Sequence, residues 1–310
     1  MKTSNLMLQV LLALVPGTLA LTYLFGVGII INVAAAMLFS LLLELTVLKI
    51  RQAPVSTIRD GSAVLTGALL GLALPPGLPL WMTFIGCLFA IIFAKHLYGG
   101  LGQNLFNPAM VGYAVLIISF PLAMSDWNFP TNIMTFDGTL IDGITAATPL
   151  DEFKFRGALT VDEYWLQFGE ENWFAWVLIN TGFLLGGLYL LATRVCTWMA
   201  PVSMLITLMV LSILFYDSGG SSSFGSPLFQ LFSGATMMGA FFIVTDPVTS
   251  PDSFRGQFIF GAGVGLLTFI IRNYGAYPEG LAFAVLLMNA CSPLIDHIEF
   301  RLKPEREGGE

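Results

Sequence analysis

The chain has 310 residues, 56% of them hydrophobic and only 11% charged, with a mean hydropathy of +0.80. A soluble domain of this size carries roughly 25% charged residues, so this composition is that of an integral membrane protein. Thirteen Lys and Arg against twenty Asp and Glu leave no basic surface for nucleic acid, whose phosphates need clustered cations.

Cys87, Cys196 and Cys291 are far apart and lie in apolar segments. That excludes a C-x-x-C metal or iron–sulfur site and a disulfide framework. Any electrons this chain moves need another cofactor.

A span needs about 20 predominantly apolar residues. Cutting the chain at its charged and Gly/Pro-rich breaks predicts helices over 6–25, 29–48, 61–79, 80–97 and 106–124. A second set follows over 173–192, 198–216, 228–245, 256–272 and 279–297. The expected fold is therefore all-α and polytopic, with ten transmembrane helices. Its parts are a first five-helix half (1–124), an insert (125–172), a second half (173–298) and a tail (299–310). The run from Leu6 to Val15, followed by Pro16, Gly17 and Ala20, also has the form of a secretory signal. The stretch from Leu6 to Leu43 carries no charge, which suits a helical hairpin better.

Short cytoplasmic loops retain Lys and Arg. With the N-terminus inside, ten cations, including Lys2, Lys49, Arg51, Lys95 and Arg194, fall on the cytoplasmic side. Only Lys154, Arg156 and Arg272 fall outside. Both termini are expected in the cytoplasm and the insert on the periplasmic face. The insert holds nine acids and two bases, so the whole net charge of −7 resides there.

The two halves echo each other. Thr66-Gly67-Ala68, ending in Pro75-Pro76, is matched by Ser233-Gly234-Ala235, ending in Asp246-Pro247; Lys95-His96-Leu97-Tyr98-Gly99 is matched by Arg272-Asn273-Tyr274-Gly275. Copies with an odd number of helices sit in the membrane with opposite orientation, as a 5+5 inverted repeat. The plainer account of the small-residue runs is close helix packing.

In the insert, Asp142-Gly143 makes a turn before small residues and Thr148. A Thr hydroxyl is a poor nucleophile without a base, and the insert has no His; the two in the chain are His96 and His297. Self-catalysed Ser/His/Asp chemistry is thereby disfavoured.

The pattern Asp142-x-x-Thr145-x-Ala147-Thr148 resembles the D-x-x-[ST]-G-A-T sequence at which a flavin transferase attaches FMN to threonine through its phosphate. Position 146 is Ala where that pattern has Gly. Around it stand Tyr98-Gly99-Gly100-Leu101-Gly102-Gln103-Asn104, Asn107-Pro108-Ala109-Met110, Thr245-Asp246-Pro247 and Gly275-Ala276-Tyr277-Pro278-Glu279-Gly280. From about Leu6 to Asp296 the chain resembles the D component of the Rnf complex, a relative of the B component of the Na⁺-pumping quinone reductase.

The resemblance implies a membrane flavoprotein of the bacterial inner membrane. It would belong to an oxidoreductase that couples ferredoxin and NAD to movement of Na⁺ or H⁺. Covalent FMN would sit on Thr148, with Asp142, Thr145 and Ala147 as its recognition motif. Expected partners are the other components of the complex, especially the sister flavoprotein (its G component), and the transferase. A second, non-covalent flavin (riboflavin) belongs to the same expectation.

Ser233-Gly234-Ala235-Thr236 matches the pattern's core, but Gln230 replaces its Asp and the segment is mid-membrane. Thr236 is therefore expected to pack or to line a cofactor pocket. Asn107-Pro108-Ala109 resembles half of the paired motif of water channels; a helix start with an Asn cap and Pro at the first turn is the simpler account. Among intramembrane charges, Glu44, Lys95, Asp246, Arg272 and Asp296 fall near expected helix ends, where they can snorkel or cap. Asn107, Thr236 and Asp246 are the residues from which an ion or second-flavin pocket would be built. Two other classes compete with the flavoprotein: a channel or solute transporter without a redox role, and a purely structural membrane anchor.

Overall fold

The computed structural model describes residues 3–127, 148–168, 170–277 and 279–302, and among them the regular structure is all helical. Asp142, Thr145, Ala146 and Ala147 lie outside the described residues. The helices are α1 (Thr3–Phe25), α2 (Gly28–Ile50), α3 (Ser62–Leu72), α4 (Leu80–Leu88), α5 (Pro108–Ser119) and α6 (Pro121–Met124). There follow α7 (Pro149–Lys154), α8 (Val161–Phe168), α9 (Glu170–Ala192), α10 (Met199–Leu214), α11 (Pro227–Phe232), α12 (Thr236–Met238), α13 (Phe254–Tyr274) and α14 (Leu281–Leu302). π-helical turns extend α4 over Phe89–His96 and α12 over Gly239–Ile243.

Among the described residues, five helices are long and apolar enough to cross a bilayer: Thr3–Phe25, Gly28–Ile50, Trp173–Ala192, Phe254–Tyr274 and Leu281–Arg301. Shorter apolar helices cover Ser62–Leu72, Leu80–His96, Pro108–Ser119 and Met199–Leu214. Their outer faces are as apolar as their inner ones. Leu12, Leu19, Ile30, Leu38 and Ile259 are exposed, which in water would be a liability and in lipid is a solvent match. The chain is a multi-pass membrane protein.

Two of the apolar segments are broken. α3 stops at Leu72 because the Pro75-Pro76 pair cannot continue it. The later segment is cut between Phe232 and Thr236, where Gly234 takes φ +57°. Backbone exposed by a break inside a bilayer must be satisfied by protein. Buried asparagines supply partners: Asn32 Nδ2 donates to Pro75 O at 2.6 Å. Asn180 Nδ2 donates to Phe232 O and Gly234 O at 2.9 and 3.0 Å, while its Oδ1 accepts from Met237 N.

Close packing fixes the bundle. α1 lies against α9, and α5 against α14. A Cβ on Gly186 would strike the Ala13 carbonyl oxygen, and one on Gly182 would lie 2.9 Å from Gly17 Cα. α2 packs on α3 and α4 much as α10 packs on α11 and α13. Gly67 and Gly71 of the first small-residue run press on the α2 backbone, whereas Gly234 of the second sits in the helix break against Glu279 and Leu150.

Residues 148–168 form a small lobe whose Leu150, Phe153, Val161 and Tyr164 share a core with Phe229 of α11, edged by Trp165 and by Trp173 of α9. Arg156 clamps it: its guanidinium sits 3.8 Å over the Phe153 ring and donates to the carbonyls of Phe153, Leu159, Ser221 and Ser223. α7, which begins directly after Thr148, is thereby tied to the membrane bundle.

Candidate functional site

Thr148 is the N-cap of α7, with Pro149 at the first helical position. Its Oγ1 accepts from Asp151 N at 3.3 Å and donates to Asp151 Oδ2 at 3.1 Å. Burial pushes the Asp151 carboxyl above the usual carboxylate range, against the two Thr148 bonds and the Lys154 charge. Burial likewise lowers Lys154, although Asp151 opposes it; Lys154 Nζ donates to Gly275 O at 2.6 Å and Tyr277 O at 3.2 Å.

Thr148 borders a cavity of about 70 Å³ with Leu21, Tyr113, Trp127, Trp176 and Glu279 in its wall. Both halves contribute to that wall. The Thr148 hydroxyl is half-buried and, among the described residues, donates to the Asp151 side chain. A volume of this size holds a few waters and is too small for a flavin ring.

In the cavity wall Glu279 joins three elements. It accepts from Ala235 N at 3.0 Å, from Leu281 N at 3.2 Å and from Arg272 at 2.9 Å. Arg272 is 2% exposed and also donates to Gln230 O and to Thr236 Oγ1. Thr236 is fully buried, its hydroxyl 2.8 Å from Ser233 O. It is a packing residue that lines neither this cavity nor the larger one described next, so the better sequence match to the flavinylation core has no accessible hydroxyl.

A second cavity, about 310 Å³, lies toward the opposite ends of α1 and α3. Thr3, Ser62, Lys95, Asn104, Asn107 and Asp246 are in its wall. Asn107 caps α5 by accepting from Met110 N, as its Asn-Pro sequence predicts, and its Nδ2 donates to Asp246 Oδ2 at 3.2 Å. Asp246 also accepts from Val248 N and Thr249 Oγ1. Asn289 ties this corner to α14, accepting from Asn107 N and donating to Thr249 O. The structure thus joins Asn107 to Asp246 and leaves Thr236 apart from both.

Glu44 and Lys95 do not snorkel, contrary to the expectation from their places near helix ends. Lys95 Nζ donates to both Glu44 oxygens at 2.9 Å and to Ser62 Oγ at 2.7 Å, with side chains 2% and 4% exposed. His96 Nε2 lies 3.1 Å from Glu44. Arg272 is buried in the same manner, bonded to Glu279, Gln230 O and Thr236 Oγ1. Charges bonded this fully gain more from partners inside the protein than from the membrane surface. Sequence reasoning missed Glu279 and Asp151. An acid in Pro278-Glu279-Gly280 just before an apolar helix is the signal for the first, and an acid three residues after a Thr cap for the second.

The family model described as "NQR2, RnfD, RnfE family" matches residues 1–303. The D subunit of the ion-translocating oxidoreductase complex of Ectopseudomonas mendocina is 52% identical over 308 residues, covering 96% of this chain and 90% of that protein. Proteins of the same name from Pseudomonas aeruginosa and Cellvibrio japonicus are 50% and 48% identical, each over 96% of this chain and 90% and 89% of theirs. A family match over residues 1–303, with relatives about half identical across 96% of the chain, leaves no part of the described fold outside it: this chain belongs to the NQR2, RnfD, RnfE family.

Proposed function

We propose that this chain is the membrane flavoprotein of an ion-translocating redox complex and carries FMN as a phosphodiester on Thr148. Its relatives' names support membership in a multi-subunit oxidoreductase that translocates ions. The observation that carries the flavin assignment is the contrast between two threonines in similar sequences. Thr148 is half-buried at the start of a short helix and bonded to Asp151, whereas Thr236 is fully enclosed and bonded to Arg272.

In this reading the two halves form a 5+5 inverted repeat in the bacterial inner membrane. The termini are cytoplasmic and residues 125–172 are periplasmic. The packing of α1 on α9 and of α5 on α14, and the matched buried cations, support the repeat. FMN supplies the electron-carrying chemistry, linking ferredoxin–NAD chemistry to the sister flavoprotein of the complex. The chain's own residues hold the carrier. The aromatic lobe and Arg156 fix α7, Lys154 pins it to the Gly275–Tyr277 loop, and Glu279 links that loop to the break before α12. Asn107 and Asp246, at the second cavity, are the residues from which a site for the moved ion, Na⁺ or H⁺, or for a second flavin would be built.

Intact-mass spectrometry of the chain from a host with the flavin transferase tests the assignment. The expected result is an added mass equal to the FMN phosphodiester, lost in Thr148→Ala and retained in Thr236→Ala. An unmodified wild-type chain, or a Thr148→Ala chain that keeps the mass, overturns it.

A further inference from the structure

Capping α7 requires only that the Thr148 oxygen accept the Asp151 amide. The structure adds a second bond in the opposite sense, with the hydroxyl proton directed to Asp151 Oδ2 at 3.1 Å. The carboxylate is held in that place. Leu150 and Phe153 are buried on either side of it in the chain, and Lys154 is tied through Gly275 O and Tyr277 O. A Thr hydroxyl becomes a competent nucleophile when a neighbouring base takes its proton.

Esterifying Thr148 with FMN requires a flavin whose phosphate is activated as a pyrophosphate, which is the chemistry of flavin adenine dinucleotide. We propose that Asp151 is the proton acceptor for Thr148 in that transfer, so that the modified chain supplies part of the machinery for its own modification. The Thr148 oxygen forms a bond to the flavin-side phosphorus, and the bond from that phosphorus to the bridging oxygen breaks. AMP leaves, and the hydroxyl proton passes to Asp151 Oδ2. No electrons change hands. The inference rests on Thr148 being the carrier.

The other titratable groups around Asp151 are Lys154 on its own helix, Glu279 ahead of α14 and Tyr113 on α5. Burial dominates their combined effect and raises the carboxyl. A raised carboxyl is the stronger base, and its active, ionised form is present above the raised value and lost below it. The rate of flavin attachment should therefore climb with pH through that titration.

The test uses the full-length chain in membranes of a host without the transferase, supplied with purified transferase and flavin adenine dinucleotide. Attachment is followed by flavin fluorescence in denaturing gels across a range of pH. Asp151→Asn retains an oxygen for capping but cannot take the proton. It should be modified more slowly at neutral pH by about a hundredfold or more, the scale of a lost general base. Its rate should lose the dependence on pH attributable to the carboxyl, and Asp151→Glu should recover part of the rate. A wild-type rate in Asp151→Asn overturns the proposal, as does a slow rate that keeps the wild-type pH profile, since that describes a structural role. Label retained in Thr148→Ala overturns the carrier assignment, whereas label lost there but normal in Asp151→Asn overturns only the role of Asp151.

Discussion

Lys95→Met removes one member of a pair that the membrane interior has no means to replace. Lys95 Nζ makes three bonds, two to Glu44 and one to Ser62, all between 2.7 and 2.9 Å. Without them Glu44 remains buried beside the His96 ring, 3.1 Å away. Breaking a buried pair from one side costs about 3–5 kcal/mol. At roughly 2 °C per kcal/mol for a chain longer than about 250 residues, the thermal midpoint should fall by about 6–10 °C. The midpoint is read by fluorescence size-exclusion chromatography of detergent-solubilised protein after heating. Glu44→Gln combined with Lys95→Met leaves no uncompensated charge and should regain most of the loss, because neutral replacements of buried pairs cost little. An unchanged midpoint in the single variant, or a double variant as unstable as the single, refutes the reasoning.

Gly186→Ala forces its methyl against the Ala13 carbonyl at the α1–α9 crossing and should cost about 1–3 kcal/mol by overpacking. Gly77→Ala, with open space around it, should leave the same heating curve unchanged. Glu279→Gln weakens the charge-assisted bond to Ala235 N; a loss of about 1.5 kcal/mol corresponds to roughly tenfold faster amide exchange across 235–238, read by hydrogen–deuterium mass spectrometry. Asn289→Leu strips partners from Asn107 N and Thr249 O and should lower the thermal midpoint through about 1–3 kcal/mol of unmet burial. Wild-type exchange in Glu279→Gln, or a wild-type midpoint in Asn289→Leu, would show that these bonds do not hold the segments they join.

Hydropathy made most membrane segments legible, because a lipid-facing helix must be apolar over its whole length. Helix boundaries inside the bundle were less so. The expected 61–79 span is helical only over Ser62–Leu72, and the expected 228–245 span is cut at Ser233–Ala235. In both, Pro or Gly and a distant Asn decide where the backbone turns. Asn107 was legible as a cap because its partner, Met110 N, is three residues away.

The Glu44–Lys95 pair was not, since 51 residues separate its members. The charge rule counted Lys95 as a loop cation, although it is buried. Thr148 stood out through its flanking sequence. The orientation of its hydroxyl toward Asp151 depends on the fold of α7 and the lobe beneath it.

The central claim is that the group on Thr148 lies in the electron path that drives ion movement. It is tested most directly in sealed vesicles containing the whole complex, by measuring NAD-linked electron transfer and ion uptake together in wild type and Thr148→Ala. The account predicts that the variant assembles with its partner subunits but loses both activities. Assembly with wild-type electron transfer and ion uptake would contradict it and leave the chain a membrane anchor.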